Sequence, residues 1–113
     1  MRMIPQVSAI LAAALLPAAP ALASDIPRYD VPGHCREVAN FGGGGSNMIY
    51  NSCVEMEQQA YDGLKHRWSS IPAGTRSHCD EVARFGGAGS YSILESCVQM
   101  EQEAAGNSPT FTW

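Results

Sequence analysis

The chain has 113 residues, with seven Lys/Arg against eleven Asp/Glu and a formal net charge of −4. An acidic balance without a basic stripe speaks against nucleic acid or an anionic membrane surface as partner. Four cysteines in so short a chain make the first question how it is held together.

Residues 1–23 read as a signal peptide. Arg2 precedes an apolar run rich in Ala, Leu and Ile, broken by Pro17 and Pro20, and Ala21-Leu22-Ala23 forms a small-residue cleavage pattern. The run is short for a membrane span, so no span is expected after cleavage. Removal of 1–23 leaves 90 residues with six Lys/Arg against eleven Asp/Glu, net −5. A chain of that size buries only about 60% of its unfolded surface, so its core is marginal. Export places the cysteines where disulfides form, and a periplasmic or secreted location is expected.

Residues 24–33, with Pro27 and Pro32, read as an irregular lead-in. A duplication follows: positions 34–60 and 78–104 match at 18 of 27 places, from His34-Cys35 and His78-Cys79 through the glycines to a shared Met-Glu-Gln. The first repeat is assigned to 34–68, a linker with Pro72 and Gly74 to 69–76, the second repeat to 77–105 and a tail to 106–113.

Each repeat predicts a helical hairpin. Cys35–Phe41 and Cys79–Phe85 suit short helices, with Gly33 and the pair Ser77/Asp80 as candidate starts. After the glycines, Ile49, Cys53, Met56, Ala60 and Leu64 fall on one helical face, as do Ile93, Cys97, Met100 and Ala104. Val54 and Val98 widen the stripe. Ser46 and Ser90 stand where an N-cap belongs, Ser92/Glu95 being an alternative capping box. The first long helix is expected to run to about Trp68, and Gly106 with Pro109 to stop the second.

Cys35 lies seven residues before Gly42 and Cys53 eight after Gly45, and the same counts hold for Cys79 and Cys97 around Gly86–Gly89. If the glycines turn the chain, the cysteines meet at one height. That favours Cys35–Cys53 and Cys79–Cys97, although sequence alone permits two other pairings. The expected fold is all-α: two tandem disulfide-stapled hairpins packed face to face as a small four-helix unit about a pseudo-two-fold axis, with Tyr50, Tyr61 or Trp68 covering its edges. Phe111 and Trp113 are expected at a flexible end or strapped onto the domain.

Three kinds of chemistry compete. His34, His78, Met56 and Met100 are soft ligands suited to Cu(I) or Zn if the cysteines are reduced. Glu57 and Glu101 form a carboxylate pair that acid–base catalysis would need, although their place beside the apolar stripe is ordinary for polar flank residues. The glycine loops lead into helix N-termini, where anions bind, but they lack the Lys-Ser/Thr of a phosphate loop. No Cys-x-x-Cys and no nucleophile–base set is present. The favoured reading is therefore not an enzyme: an exported protein without cofactor, binding an unknown protein or envelope component or serving a structural role. Metal binding is the alternative.

Cys-x-x-Val-Ala, glycines leading to Gly89-Ser90-Tyr91, a second Cys and a Gln-Glu-type helix ending in Ala resemble small exported proteins of unknown function from alphaproteobacteria. The resemblance covers about 27 residues per repeat and implies a short, secreted, cysteine-stapled helical module with no catalytic assignment. Ser46-Asn47 departs from the Ser-Tyr of that pattern.

Overall fold

The structure, a computed structural model, describes residues 25–113 together with Met3 and Pro5. Apart from those two residues, the expected signal peptide lies outside the described residues. Four helices follow in order: α1 (Val31–Asn40), α2 (Asn47–Lys65), α3 (Ala73–Arg84) and α4 (Tyr91–Gly106), with a 3₁₀ turn (Trp68–Ser70) before α3. Among the described residues there is no strand, and the fold is the expected all-α pair of stapled hairpins.

Both hairpins owe their turn to glycine. Gly42, Gly43 and Gly45 in the first loop, and Gly86 and Gly89 in the second, have positive φ, which L side chains rarely adopt. Ser46 and Ser90 then cap α2 and α4, accepting from the backbone N–H of Ile49 at 3.2 Å and Ile93 at 3.3 Å. Cys35–Cys53 and Cys79–Cys97 are bonded, each with Cα atoms 5.5 Å apart. In the chain-entropy account each closure is worth about 3 kcal/mol, large against a core of this size.

Two helix starts differ from expectation. α1 begins at Val31, inside the expected lead-in, because the Asp30 side chain accepts from Gly33 N–H at 3.0 Å and Pro32 suits the first turn. α3 begins at Ala73, inside the expected linker, with Pro72 at its N-cap and no side-chain cap. α2 ends at Lys65, and the chain continues into the 3₁₀ turn at Trp68.

The core is unequally shared. Leu64, Ile71, Leu94 and Val98 are fully buried, joined by Tyr29, Trp68, Tyr91, Cys79 and Ala83. Most of it therefore belongs to the second half of α2, the linker and the second hairpin. The predicted stripe of α2 holds only at its C-terminal end. Ile49 and Met56 are exposed, and the buried residues are Glu57, Ala60 and Leu64. The reason is that the first half of α2 has only α1 to pack on, and α1 buries only Cys35 and Ala39.

The expected two-fold axis is absent. Glu57 sits at the start of α4, and six residues on, Gly63 faces Glu95. α2 and α4 therefore advance in the same sense, with α4 beginning near the middle of α2. A two-fold would bring Glu101 to the start of α2. Instead Glu101 is half exposed beside His78. The hairpins are stacked head to tail.

Candidate functional site

The junction of the two hairpins is built around one carboxylate. Glu57 is 2% exposed. Its Oε1 accepts from Ser90 Oγ at 2.7 Å and its Oε2 from Tyr91 N–H at 2.5 Å, with Ser92 N–H 3.5 Å from Oε1. The positive end of the α4 dipole thus meets a negative side chain delivered by the other repeat. The glycine loop does lead into an anion site, and the anion is internal. Sequence reasoning placed Glu57 among polar flank residues; its burial is a correction, and its hydrogen bonds are what make that burial tolerable.

His34 Nε2 lies 3.7 Å from Glu57 Oε1, and in the second repeat His78 Nε2 lies 3.7 Å from Glu101 Oε1. The two pairs have equal geometry and different surroundings. The first is covered by α4, whereas both side chains of the second are about half exposed. Ser90 Oγ and His34 Nε2 both approach Glu57 Oε1, and the hydroxyl donates to the carboxylate, so its proton is engaged there and not by the imidazole.

The lead-in locks the junction from outside. Tyr91 Oη donates to the Pro27 carbonyl at 2.7 Å and accepts from Tyr29 N–H at 3.0 Å. Tyr29 Oη donates to Asp80 Oδ1 at 2.7 Å, and Arg84 Nε donates to the same oxygen at 2.9 Å while its guanidinium lies over the Tyr29 ring. Burial first, then the bond to Asp80, pushes the Tyr29 hydroxyl far above tyrosine's ordinary range. Burial raises Tyr91 as well.

Beside the carboxylate opens an apolar groove of about 450 Å³. Val38 of α1, Met48, Ile49 and Met56 of α2, and Ile93 of α4 form its walls, and His34, Glu57, Ser90 and Ser92 line its polar side. A second hollow shares His34, Val38, Ser90 and Ile93 and extends past Phe41 and Phe85. Phe41 and Phe85 are each 92% exposed, so one face gathers seven exposed apolar side chains.

The four proposed metal ligands are not brought together. His34 and Met56 line the groove, whereas His78 and Met100 belong to the second repeat and line none of it. All four cysteines are oxidised, which removes the thiolates a soft-metal site would use. Among the described residues no three His, Cys, Asp or Glu side chains are grouped as metal ligands. Glu57 and Glu101 are separated too, one buried at the junction and the other exposed.

Sequence reasoning missed Tyr29 and Met48, and met Tyr91 only as the residue at which Ser46-Asn47 departs from Ser90-Tyr91. The same signal extends to Met48, which Ser92 replaces in the second repeat. A departure between otherwise similar copies marks where their surroundings differ. The expected edge residues also change place, with Trp68 buried and Tyr61 packed edge-on against Tyr91. Phe111 and Trp113 are exposed and touch each other, not strapped onto the domain. Among the described residues no helix is long and apolar enough to cross a membrane. Comparisons with protein-family models, curated proteins and solved structures give no match, so the site rests on its own geometry.

Proposed function

We propose that this chain is an exported, non-enzymatic binding protein of the cell envelope, and that the groove between its hairpins is the binding surface. The observation that carries the reading is the exposed apolar face centred on Val38, Met48, Ile49, Met56 and Ile93, next to a junction that is fully bonded. Contiguous exposed apolar surface on a small protein marks interaction sites. Methionine walls adapt to differently shaped ligands.

Two disulfides support an oxidising compartment, in keeping with the leader-like 1–23 segment and with the resemblance to small secreted modules. The non-enzymatic part rests on Glu57, whose oxygens are engaged in capping α4 and holding the repeats together.

A neutral, environment-sensitive apolar dye tests the reading. Dye should bind the parent protein with enhanced emission, lose at least tenfold in affinity in the double variant Met48→Ser/Met56→Ser, and bind Met100→Ser like the parent. Equal binding by all three proteins would remove the groove from the account.

A further inference from the structure

The groove has a candidate occupant within the same sequence. Beyond α4, residues 107–113 (NSPTFTW) are exposed throughout and carry no charged side chain. Phe111 and Trp113 make a ring pair with centroids 5.0 Å apart, exposed at 76% and 106%. Exposed aromatic area of this kind is costly to leave in water. It is matched by a groove whose methionine sulfurs favour aromatic partners. None of its side chains is charged, so its aromatic rings enter an apolar groove without stripping water from a charged side chain.

The segment cannot fill its own groove. Asn107 Nδ2 and Ser108 Oγ still donate to the carbonyls of Glu103 and Ala104, so the free part is 109–113. Five residues span at most about 17 Å fully extended. From the end of α4 back to Ile93, the nearest wall residue on that helix, is about 20 Å along the helix axis. Pro109 stiffens the start of the free part.

We infer that residues 109–113 of one copy dock in the groove of a second copy, Phe111 and Trp113 against Val38, Met48, Met56 and Ile93, in a dimer that exchanges both segments. Two segments and two grooves close under a two-fold axis, so the assembly stops at the dimer. The inference rests on the groove being a binding surface, as proposed above.

Sedimentation of the purified protein from about 5 to 500 µM, a range that brackets micromolar association, tests it. The parent should form a reversible dimer. Phe111→Ala/Trp113→Ala and Met48→Ser/Met56→Ser should each raise the dissociation constant at least tenfold, with far-UV dichroism unchanged. The melting temperature should be unchanged at concentrations where the parent is monomeric, because all four side chains are exposed in the single chain. A parent that stays monomeric, or an aromatic double variant that dimerises as tightly as the parent, overturns the exchange. A monomer that still takes the neutral dye in its groove overturns the exchange alone. A monomer that takes none removes the groove reading with it.

Discussion

Glu57 and Ser90 are 2.7 Å apart, carboxylate to hydroxyl, while their repeat counterparts Glu101 and Ser46 do not meet. This asymmetry turns two similar hairpins into one unit with one junction and one groove. Positions equivalent to the buried Tyr91, Leu64 and Trp68 are Asn47, Ser108 and Thr112, so the apolar residues packed around this junction occur in one repeat only.

Replacing Glu57 by Gln should therefore cost stability where replacing Glu101 does not. The amide turns a donor toward Ser90 or Tyr91, leaving a buried donor unpaired, a loss of about 1–3 kcal/mol. Glu101→Gln, on an exposed pair, should stay within about 0.5 kcal/mol of the parent. Urea unfolding of both variants checks the contrast.

The two disulfides should fail differently. Cys79 belongs to the main core, whereas Cys35 and Ala39, the only buried residues of α1, lie outside it. Cys79→Ala/Cys97→Ala should lower global stability by about 3 kcal/mol. Cys35→Ala/Cys53→Ala should instead release α1 locally. Amide hydrogen exchange would show protection lost over Val31–Asn40 while Leu94–Val98 stays protected.

Two glycines in neighbouring loops separate backbone need from accident. A Cβ on Gly89, at φ +95°, would lie 2.6 Å from the Tyr29 ring, and Gly89→Ala should cost about 2–4 kcal/mol through strain and overpacking. Gly44 has ordinary φ and open space around it, so Gly44→Ala should be neutral or stabilising by a few tenths of a kcal/mol. Thermal melts of the pair measure the difference.

Alkaline pH should loosen the lead-in. The folded chain holds the Tyr29 and Tyr91 protons beyond the ordinary tyrosine value of 10.0, chiefly through burial. The unfolded chain releases them near that value. This contribution is complete below about pH 10 and falls as pH rises past it, by up to about 1.4 kcal/mol per pH unit for each tyrosine. Tyr29→Phe should remove one tyrosine's share of that slope while costing about 1 kcal/mol at neutral pH, where the bond to Asp80 is lost. Denaturation curves between pH 8 and pH 11 should show both effects, a range set around the unfolded tyrosine value.

The hairpins and their staples were legible because they are local. Equal Cys–glycine–Cys counts fix a turn and a clamp, and Ser46 and Ser90 cap where the pattern places them. The relation between the hairpins was not, because periodicity ranks Met56 above Glu57 as a core residue and knows nothing of α4. Only the tertiary arrangement, with the start of α4 over that turn of α2, makes a carboxylate the better buried neighbour and leaves Met56 outside. Tyr29 escaped for a similar reason: it lies among prolines and polar residues, and its partners are 51 and 62 residues away.

The central claim is that the first repeat's His34 side carries a binding groove and the second repeat's equivalent does not. Titrating the ¹⁵N-labelled protein with the neutral apolar dye and following amide shifts tests it most directly, since Val38, Ser52 and Met56 each have an internal control 44 positions on. Shifts should concentrate at Val38, Ser52, Met56 and Ile93 and spare Val82, Ser96 and Met100. Equal shifts in both repeats, or shifts centred on the second, would contradict the account.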